Sequence, residues 1–364
     1  MTGTKYDIHP TILREYDIRG IVGETLSVAD AKAIGRAFGT IVVRKLGTGA
    51  RICIGYDGRT TSPDMEQGLC DGLTSTGVDV IRVGRGPTPM LYFAVYHLEA
   101  DGGIMVTGSH NPPMHNGFKM MMGHKSFFGD DIQHLGKMCA NGDIDVADPP
   151  GQSMTQDVTE PYLESLAAAH APVGELGAFR VAWDAGNGSG GEMMAELVKR
   201  LPGEHILLNE EIDGTFPNHH PDPTVAENLV QIQNVVKEQN LDLGIALDGD
   251  ADRIGVVDGQ GRILWADQLM ALLARDVLAD NPGATIIADV KSSQLFFDEV
   301  ARLGGKPIMW QTGHSLIKGK MAVEKSPFAG EMSGHIFFAD RYFGFDDALY
   351  AGVRLLGVMS RTGK

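Results

Sequence analysis

Cysteine is almost absent. The 364 residues contain only Cys53, Cys70 and Cys139. So sparse and odd a set, without metal-ligand spacing, excludes a disulfide scaffold and a zinc module. It predicts buried, reduced thiols in a cytoplasmic protein. Long apolar runs are missing too. Nothing approaches 18 consecutive apolar residues, so a membrane-spanning helix is not expected. The opening Met1-Thr-Gly-Thr-Lys-Tyr-Asp7 has no apolar stretch of the secretory type. Positive charge is scarce: 31 Lys and Arg stand against 47 Asp and Glu, a formal charge of −16. That argues against nucleic acid and anionic membranes as partners. If the ligand is an anion, the chain must concentrate its few cations locally. What is present is core: 43% of residues are hydrophobic, enough for two or three domains of ordinary size.

Three segments of the chain follow one plan. Ile52-Cys-Ile-Gly-Tyr-Asp57, Val181-Ala-Trp-Asp184 and Thr285-Ile-Ile-Ala-Asp289 are short apolar runs ending at aspartate. After each come a turn of small residues, an amphipathic stretch and a second apolar run. That is the pattern of a βαβ unit with a helical crossover. The aspartates lie 127 and 105 residues apart, which points to duplication of whole domains. The predicted fold is α/β, with three mixed-sheet domains over residues 1–155, 156–258 and 259–364 around a central cleft. Asp148-Pro-Pro-Gly-Gln-Ser153 and Asp258-Gly-Gln-Gly261 have linker composition at the two boundaries.

Each copy reaches a further strand and then a loop rich in chemistry. In open α/β sheets, ligands sit beyond the carboxyl ends of the strands. The first loop is Thr107-Gly-Ser-His-Asn-Pro112, after the apolar Gly103-Ile-Met-Val106. It is not the G-x-S-x-G elbow of acyl-transfer hydrolases, because the second glycine is missing and Pro112-Pro113 blocks an immediate helix. The second loop is Asp248-Gly-Asp-Ala-Asp252-Arg253. Its alternate aspartates can converge on one cation, and hard oxygen ligands suit Mg²⁺. An EF-hand begins the same way, but Arg253 and Gly259 stand where that loop needs Gly and Glu. The third is Gly330-Glu-Met-Ser-Gly-His335, where Glu331 offers acceptors for sugar hydroxyls. A serine with a carboxylate-held metal suggests phosphoryl rather than acyl transfer.

Taken singly, each of these residues has an ordinary explanation. Ser109 can cap a turn, His110 can be a surface residue and His335 a core histidine. Asn116-Gly117 reads as a turn, from which Lys119 can reach back toward Ser109. Arg19 suits bidentate phosphate binding. Thr312-Gly-His314 reads as a loop opening a helix, which can meet an anion with backbone N–H groups.

Taken together, Tyr16-Asp-Ile-Arg-Gly20 and the three loops occur in the order and at the spacing of one family. Over essentially all its residues the chain resembles the α-D-phosphohexomutases, and within them the bacterial phosphomannomutase/phosphoglucomutases. The resemblance implies interconversion of hexose 1-phosphate and hexose 6-phosphate, of glucose or mannose, through a hexose 1,6-bisphosphate. Ser109 would be the phosphoserine, with His110 beside it. Asp248, Asp250 and Asp252 would bind one Mg²⁺, with a phosphoserine oxygen as a further ligand. Arg253 would steady the phosphoryl group. Arg19, Lys119 and His335 would be candidates for proton transfer or charge neutralisation. Glu331 and Ser333 would hold hexose hydroxyls, with Tyr16, Lys291, Thr312, Gly313, His314 and Met332 along the substrate cleft.

Expected partners are small phosphosugars, and the expected state is a monomer or weak dimer. The resemblance implies that full-length members carry a fourth, C-terminal domain of roughly a hundred residues, an ordinary domain size, whose Arg/Ser/Thr-rich loop grips the phosphate not being transferred. The sequence reaches Lys364 without a candidate for that loop, so three domains and impaired turnover are expected. Competing readings are a phosphoglucosamine mutase, a sugar-phosphate-binding protein without catalysis, and a metal-dependent hydrolase. Met332 favours plain hexoses over amino sugars, whose mutases more often show Gln there.

Overall fold

The structure is a computed structural model that describes residues 4–173 and 175–363. It divides into two compact units, Met1–Val158 and Thr159–Lys364. The first is built on one seven-stranded sheet. Its strands are β1 (Ile18–Ile21), β2 (Arg51–Tyr56), β3 (Asp79–Arg85), β4 (Gly102–Val106), β5 (His115–Met122), β6 (Lys125–Phe127) and β7 (Ser153–Thr155). They lie in the order β1-β5-β4-β2-β3-β7, with β6 paired to β5. β4, β2, β3 and β7 are parallel, and β5 is antiparallel to β4. Every residue of β4 is buried, as a central strand covered on both faces requires. Helix Val28–Leu46 starts where Ser27 and Asp30 form a reciprocal capping box, and it carries Arg44 and Lys45 in its last turn.

The second unit holds two sheets. One consists of β8 (Phe179–Asp184), β9 (Gly203–Leu208), β10 (Leu243–Leu247), β11 (Ile254–Asp258) and β12 (Ile263–Leu264), in the order β12-β11-β10-β8-β9. The other consists of β13 (Thr285–Asp289), β14 (Lys306–Trp310), β15 (Phe328–Gly330) and β16 (Ile336–Phe338), in the order β14-β13-β15-β16. Helix Ala348–Thr362 packs against strands of both sheets. Its N-cap is Asp347, whose buried carboxylate accepts from the Tyr350 N–H at 3.0 Å and from the Tyr162 and Tyr342 hydroxyls at 2.9 Å. Burial pushes this carboxyl up to about 6.

The duplication read from the sequence is present in the pairing. β5-β4-β2-β3, β11-β10-β8-β9 and β16-β15-β13-β14 are one arrangement three times: three parallel strands and an antiparallel neighbour. These are three α/β domains with mixed sheets. Asp57 directly follows β2, and Asp184 and Asp289 are the last residues of β8 and β13. One local expectation fails. Asn116-Gly117 is not a turn but lies within β5, with Gly117 opposite Arg19. The glycine is there for closeness, since a Cβ would stand 1.9 Å from the Ile18 carbonyl oxygen. Among the described residues no helix is long and apolar enough to cross a membrane.

Candidate active site

In the first unit, β4 delivers Thr107 into a turn fastened to the end of β2. The Asp57 carboxylate accepts from the Thr107 hydroxyl and the Gly108 N–H, both at 2.9 Å. It also accepts from the Ser62 hydroxyl at 2.5 Å and the Arg59 N–H at 3.0 Å. Ser109 is buried and has φ +50°. That left-handed backbone costs a non-glycine residue about 1–2 kcal/mol, so the surroundings must impose it. One restraint is local: the Ser109 N–H donates to the Thr107 hydroxyl at 2.8 Å. The Ser109 hydroxyl lies 3.2 Å from Nδ1 of His110. Arg19, buried on β1, donates to the Thr107 carbonyl and pairs with Asp17. Lys119 is buried on β5, in register with Met105 of β4. Tyr16 is half-buried in the segment before β1.

In the second unit, Asp248 directly follows β10. Asp248, Asp250 and Asp252 are fully buried, and one carboxylate oxygen of each lies within 4.8 Å of the others. Three buried carboxylates at that spacing repel one another and call for a cation among them. The all-oxygen donor set therefore fits a hard divalent metal. The loop is braced from the neighbouring turns. Oδ1 of Asp248 accepts from the Asp252 and Arg253 N–H groups at 3.0 Å. The Gly249 carbonyl accepts from the Ser189 N–H at 2.9 Å. A Cβ at Gly190 would lie 2.7 Å from the Cβ of Ala251, which explains the small residues of the 186–191 turn.

The third loop is laced directly to the second. Arg253 bridges to His335 in a short antiparallel contact, and the Ile254 N–H donates to the Gly334 carbonyl at 3.1 Å. Nε of Arg253 donates to Nε2 of His335 at 3.0 Å. That leaves the His335 proton on Nδ1, which faces Asp346 at 2.8 Å and Asp252 at 3.5 Å. The His314 ring stacks on His335 with centroids 5.3 Å apart. Asp346 is fully buried and also receives Lys318 at 3.1 Å. Burial works to raise its pKa, but Lys318, His335 and His314 outweigh it and hold the carboxyl well below the usual range. Glu331 is buried, and burial raises its pKa against the pull of His335 and the Gly313 N–H, which donates to it. The Ser333 hydroxyl lies 3.4 Å from the same carboxylate. Asp289 ties this loop down, accepting from the Met332 N–H at 3.0 Å and the Thr312 hydroxyl at 2.9 Å. Lys291, just after β13, is exposed.

Two groupings of the sequence-selected residues are thus realised. Ser109, His110 and Arg19 gather at one turn. Asp252, Arg253, His314, Glu331, Ser333 and His335 gather at the other two loops. Sequence reasoning passed over Arg59, Asp346 and Lys318. Asp57 and Asp289 were visible only as repeat markers. Their recurrence at strand ends was the available signal, and the structure shows what it means.

Models of the family match along the chain in order. Residues 10–141 match phosphoglucomutase/phosphomannomutase α/β/α domain I, residues 160–261 domain II and residues 265–364 domain III. The phosphoglucomutase of Neisseria gonorrhoeae is 45% identical over 354 residues, 96% of this chain and 75% of that protein. The phosphomannomutase/phosphoglucomutase of Pseudomonas aeruginosa is 43% identical over 352 residues, 96% of this chain and 74% of its own. The crystal structure of a phosphoglucomutase/phosphomannomutase family protein from Burkholderia thailandensis superposes with a TM-score of 0.91 at 43% identity, covering 97% of this chain and 78% of that one. Three domains in order, relatives above 40% identity and the loops described here lead to one conclusion: the chain belongs to the bacterial phosphoglucomutase/phosphomannomutase family and is a hexose-phosphate mutase.

Proposed function

We propose that Ser109 carries the phosphoryl group by which this chain interconverts the 1- and 6-phosphates of glucose and mannose. The observation that carries this reading is the Ser109 turn, a buried non-glycine residue held at φ +50° with its hydroxyl beside His110. In the forward direction, phospho-Ser109 meets a hexose 1-phosphate. The bond from phosphorus to the Ser109 Oγ breaks as a bond to the sugar O6 forms, and the O6 proton passes to a base. Arg19, Lys119 and His335 are the candidate proton carriers. The resulting 1,6-bisphosphate presents its other end. Its O1–phosphorus bond breaks, Ser109 Oγ takes the phosphoryl group back, and the sugar O1 recovers a proton. Enzyme and proton count end where they began.

Asp248, Asp250 and Asp252 hold Mg²⁺ in this reading, and that ion supplies neutralisation of charge on the phosphoryl oxygens. Arg253 contributes a guanidinium beside the same loop. Glu331 and Ser333 hold sugar hydroxyls. Burial raises the pKa of Glu331, and its carboxyl oxygens offer several acceptor sites to sugar hydroxyls. Three cysteines buried as free thiols accord with work in the cytoplasm.

The test is direct. The protein is incubated with glucose 1,6-bisphosphate and Mg²⁺, and the phosphate is located by mass spectrometry. Label on Ser109 is expected, and Ser109→Ala should abolish turnover. Label on another residue, or normal turnover by Ser109→Ala, would sink the assignment.

A further inference from the structure

We infer that Arg59 is the positioning residue of the phosphoryl-carrying turn, an inference that rests on the reading of Ser109 given above. Arg59 is almost completely buried, and each of its five N–H groups has an acceptor. Nε donates to Asp57 at 3.2 Å. Nη2 donates to the carbonyls of Ser109 at 2.8 Å and Asn111 at 2.6 Å. Nη1 donates to the carbonyls of Pro112 at 2.6 Å and His115 at 3.1 Å. Four of the five bonds therefore collect carbonyls, three from the loop and one from the first residue of β5, and the loop is wrapped around the guanidinium.

The wrapping explains Gly108. A Cβ there would lie 2.0 Å from Nε and 2.1 Å from Cζ of Arg59, although the Gly108 backbone is not left-handed. Arg59 needs glycine at that point because its plane lies flush against the chain. Asp57 neutralises the charge, and the same carboxylate holds Thr107 and Gly108 from the other side. A neutralised guanidinium has little attraction for a phosphate, so its work is geometric. It fixes the Ser109 carbonyl and with it the left-handed turn that aims the hydroxyl. The Oγ must give up a phosphoryl group and receive it back in each cycle, so it has to occupy one point at both moments. A lysine, with three donors and no fork, can keep the ion pair with Asp57 but cannot hold four carbonyls.

Arg59→Lys, Gly108→Ala and Ser109→Ala are assayed beside the parent with glucose 1-phosphate, Mg²⁺ and glucose 1,6-bisphosphate. Arg59→Lys removes the fork, and Gly108→Ala pushes it away without removing charge. Both should keep KM within about threefold and lose about 100-fold of kcat, the penalty for misplacing a reacting atom by about an ångström. The rate of Ser109 labelling by the bisphosphate should fall by the same factor. A kcat within about threefold of the parent in both variants overturns the inference. So does a loss that only tracks the folded fraction in thermal melts. Failure of the underlying reading looks different: Ser109→Ala would then turn over normally.

Discussion

Asp57 in the first unit and Asp289 in the second stand at the same point of the same repeat, yet they are satisfied differently. Both stand at the end of the first strand of their repeat, and both fasten the loop that follows its third strand. Asp57 does so as half of a buried ion pair with Arg59. Asp289 does so through neutral donors: the Ser292 and Thr312 hydroxyls and the Met332 N–H. Among the described residues no cation pairs with it. Asp184, in the middle copy, takes a third course and faces the ring of His219 at 3.0 Å. The scaffold supplies the position of the acid, and each copy satisfies it with partners of its own. In the proposed function, the copy with the permanent, forked cation is the one whose loop holds the reacting serine. In the same proposal, the copy with neutral partners holds a loop that only grips the sugar.

The largest effect should come from breaking the ion pair. Asp57→Ala leaves a buried guanidinium uncompensated, a loss of about 3–5 kcal/mol. Asp289→Ala leaves two hydroxyls and an N–H unsatisfied, a loss of about 1–3 kcal/mol. Urea midpoints measured on both variants would show this, and equal shifts would erase the distinction. Removing an acid from the metal loop should do the opposite in metal-free buffer. Asp250→Asn relieves repulsion among three buried carboxylates, so its melting temperature should rise above the parent's when a chelator is present. The parent should gain about 2.7 kcal/mol at Mg²⁺ a hundredfold above Kd, and the variant should gain little. A variant that kept the parent's full Mg²⁺ response would move the metal elsewhere.

Much of this was legible in the chain. The three strand-end aspartates and the apolar runs around them gave the sheets, because a buried parallel strand has a period and an end that sequence shows. The Ser109, Asp248 and Glu331 loops were legible as a set: each is ordinary alone, but each follows an apolar run, and their order and spacing match one family. Arg59 was not, since an arginine two residues after an aspartate has no local signature. Its role exists only once β4 returns the loop some 50 residues later to the end of β2. Asp346 and Lys318 were hidden for the same reason, since Asp346 meets Lys318, His314 and His335 only through the fold of the second unit. The Asn116-Gly117 turn was misread because Gly marks both turns and close backbone approaches, and sequence does not separate them.

The smallest effect concerns the middle copy and separates a titrating counter-charge from a permanent one. Nδ1 of His219 faces the His220 carbonyl at 3.0 Å, and Nε2 faces the Asp184 carboxylate at 3.0 Å. Both partners accept, so an imidazolium can donate to both, while the Asn209 amide nitrogen also lies 3.3 Å from Nε2. The hydrogen bond to Asp184 raises its pKa, against the opposing effect of burial. A histidine raised in the folded state contributes stability that is fully present below its unfolded pKa of about 6.5. That contribution is lost as pH climbs through the folded value. His219→Gln should therefore be less stable than the parent in mildly acid buffer, and the gap should close toward alkaline pH. Asp57 offers the control, because the guanidinium of Arg59 does not titrate. The gap between the parent and Asp57→Ala should stay constant over the same range. Thermal melts of both variants across that range decide it. A His219→Gln gap that does not change with pH would mean that the ring is neutral and that Asp184, like Asp289, is held by uncharged donors.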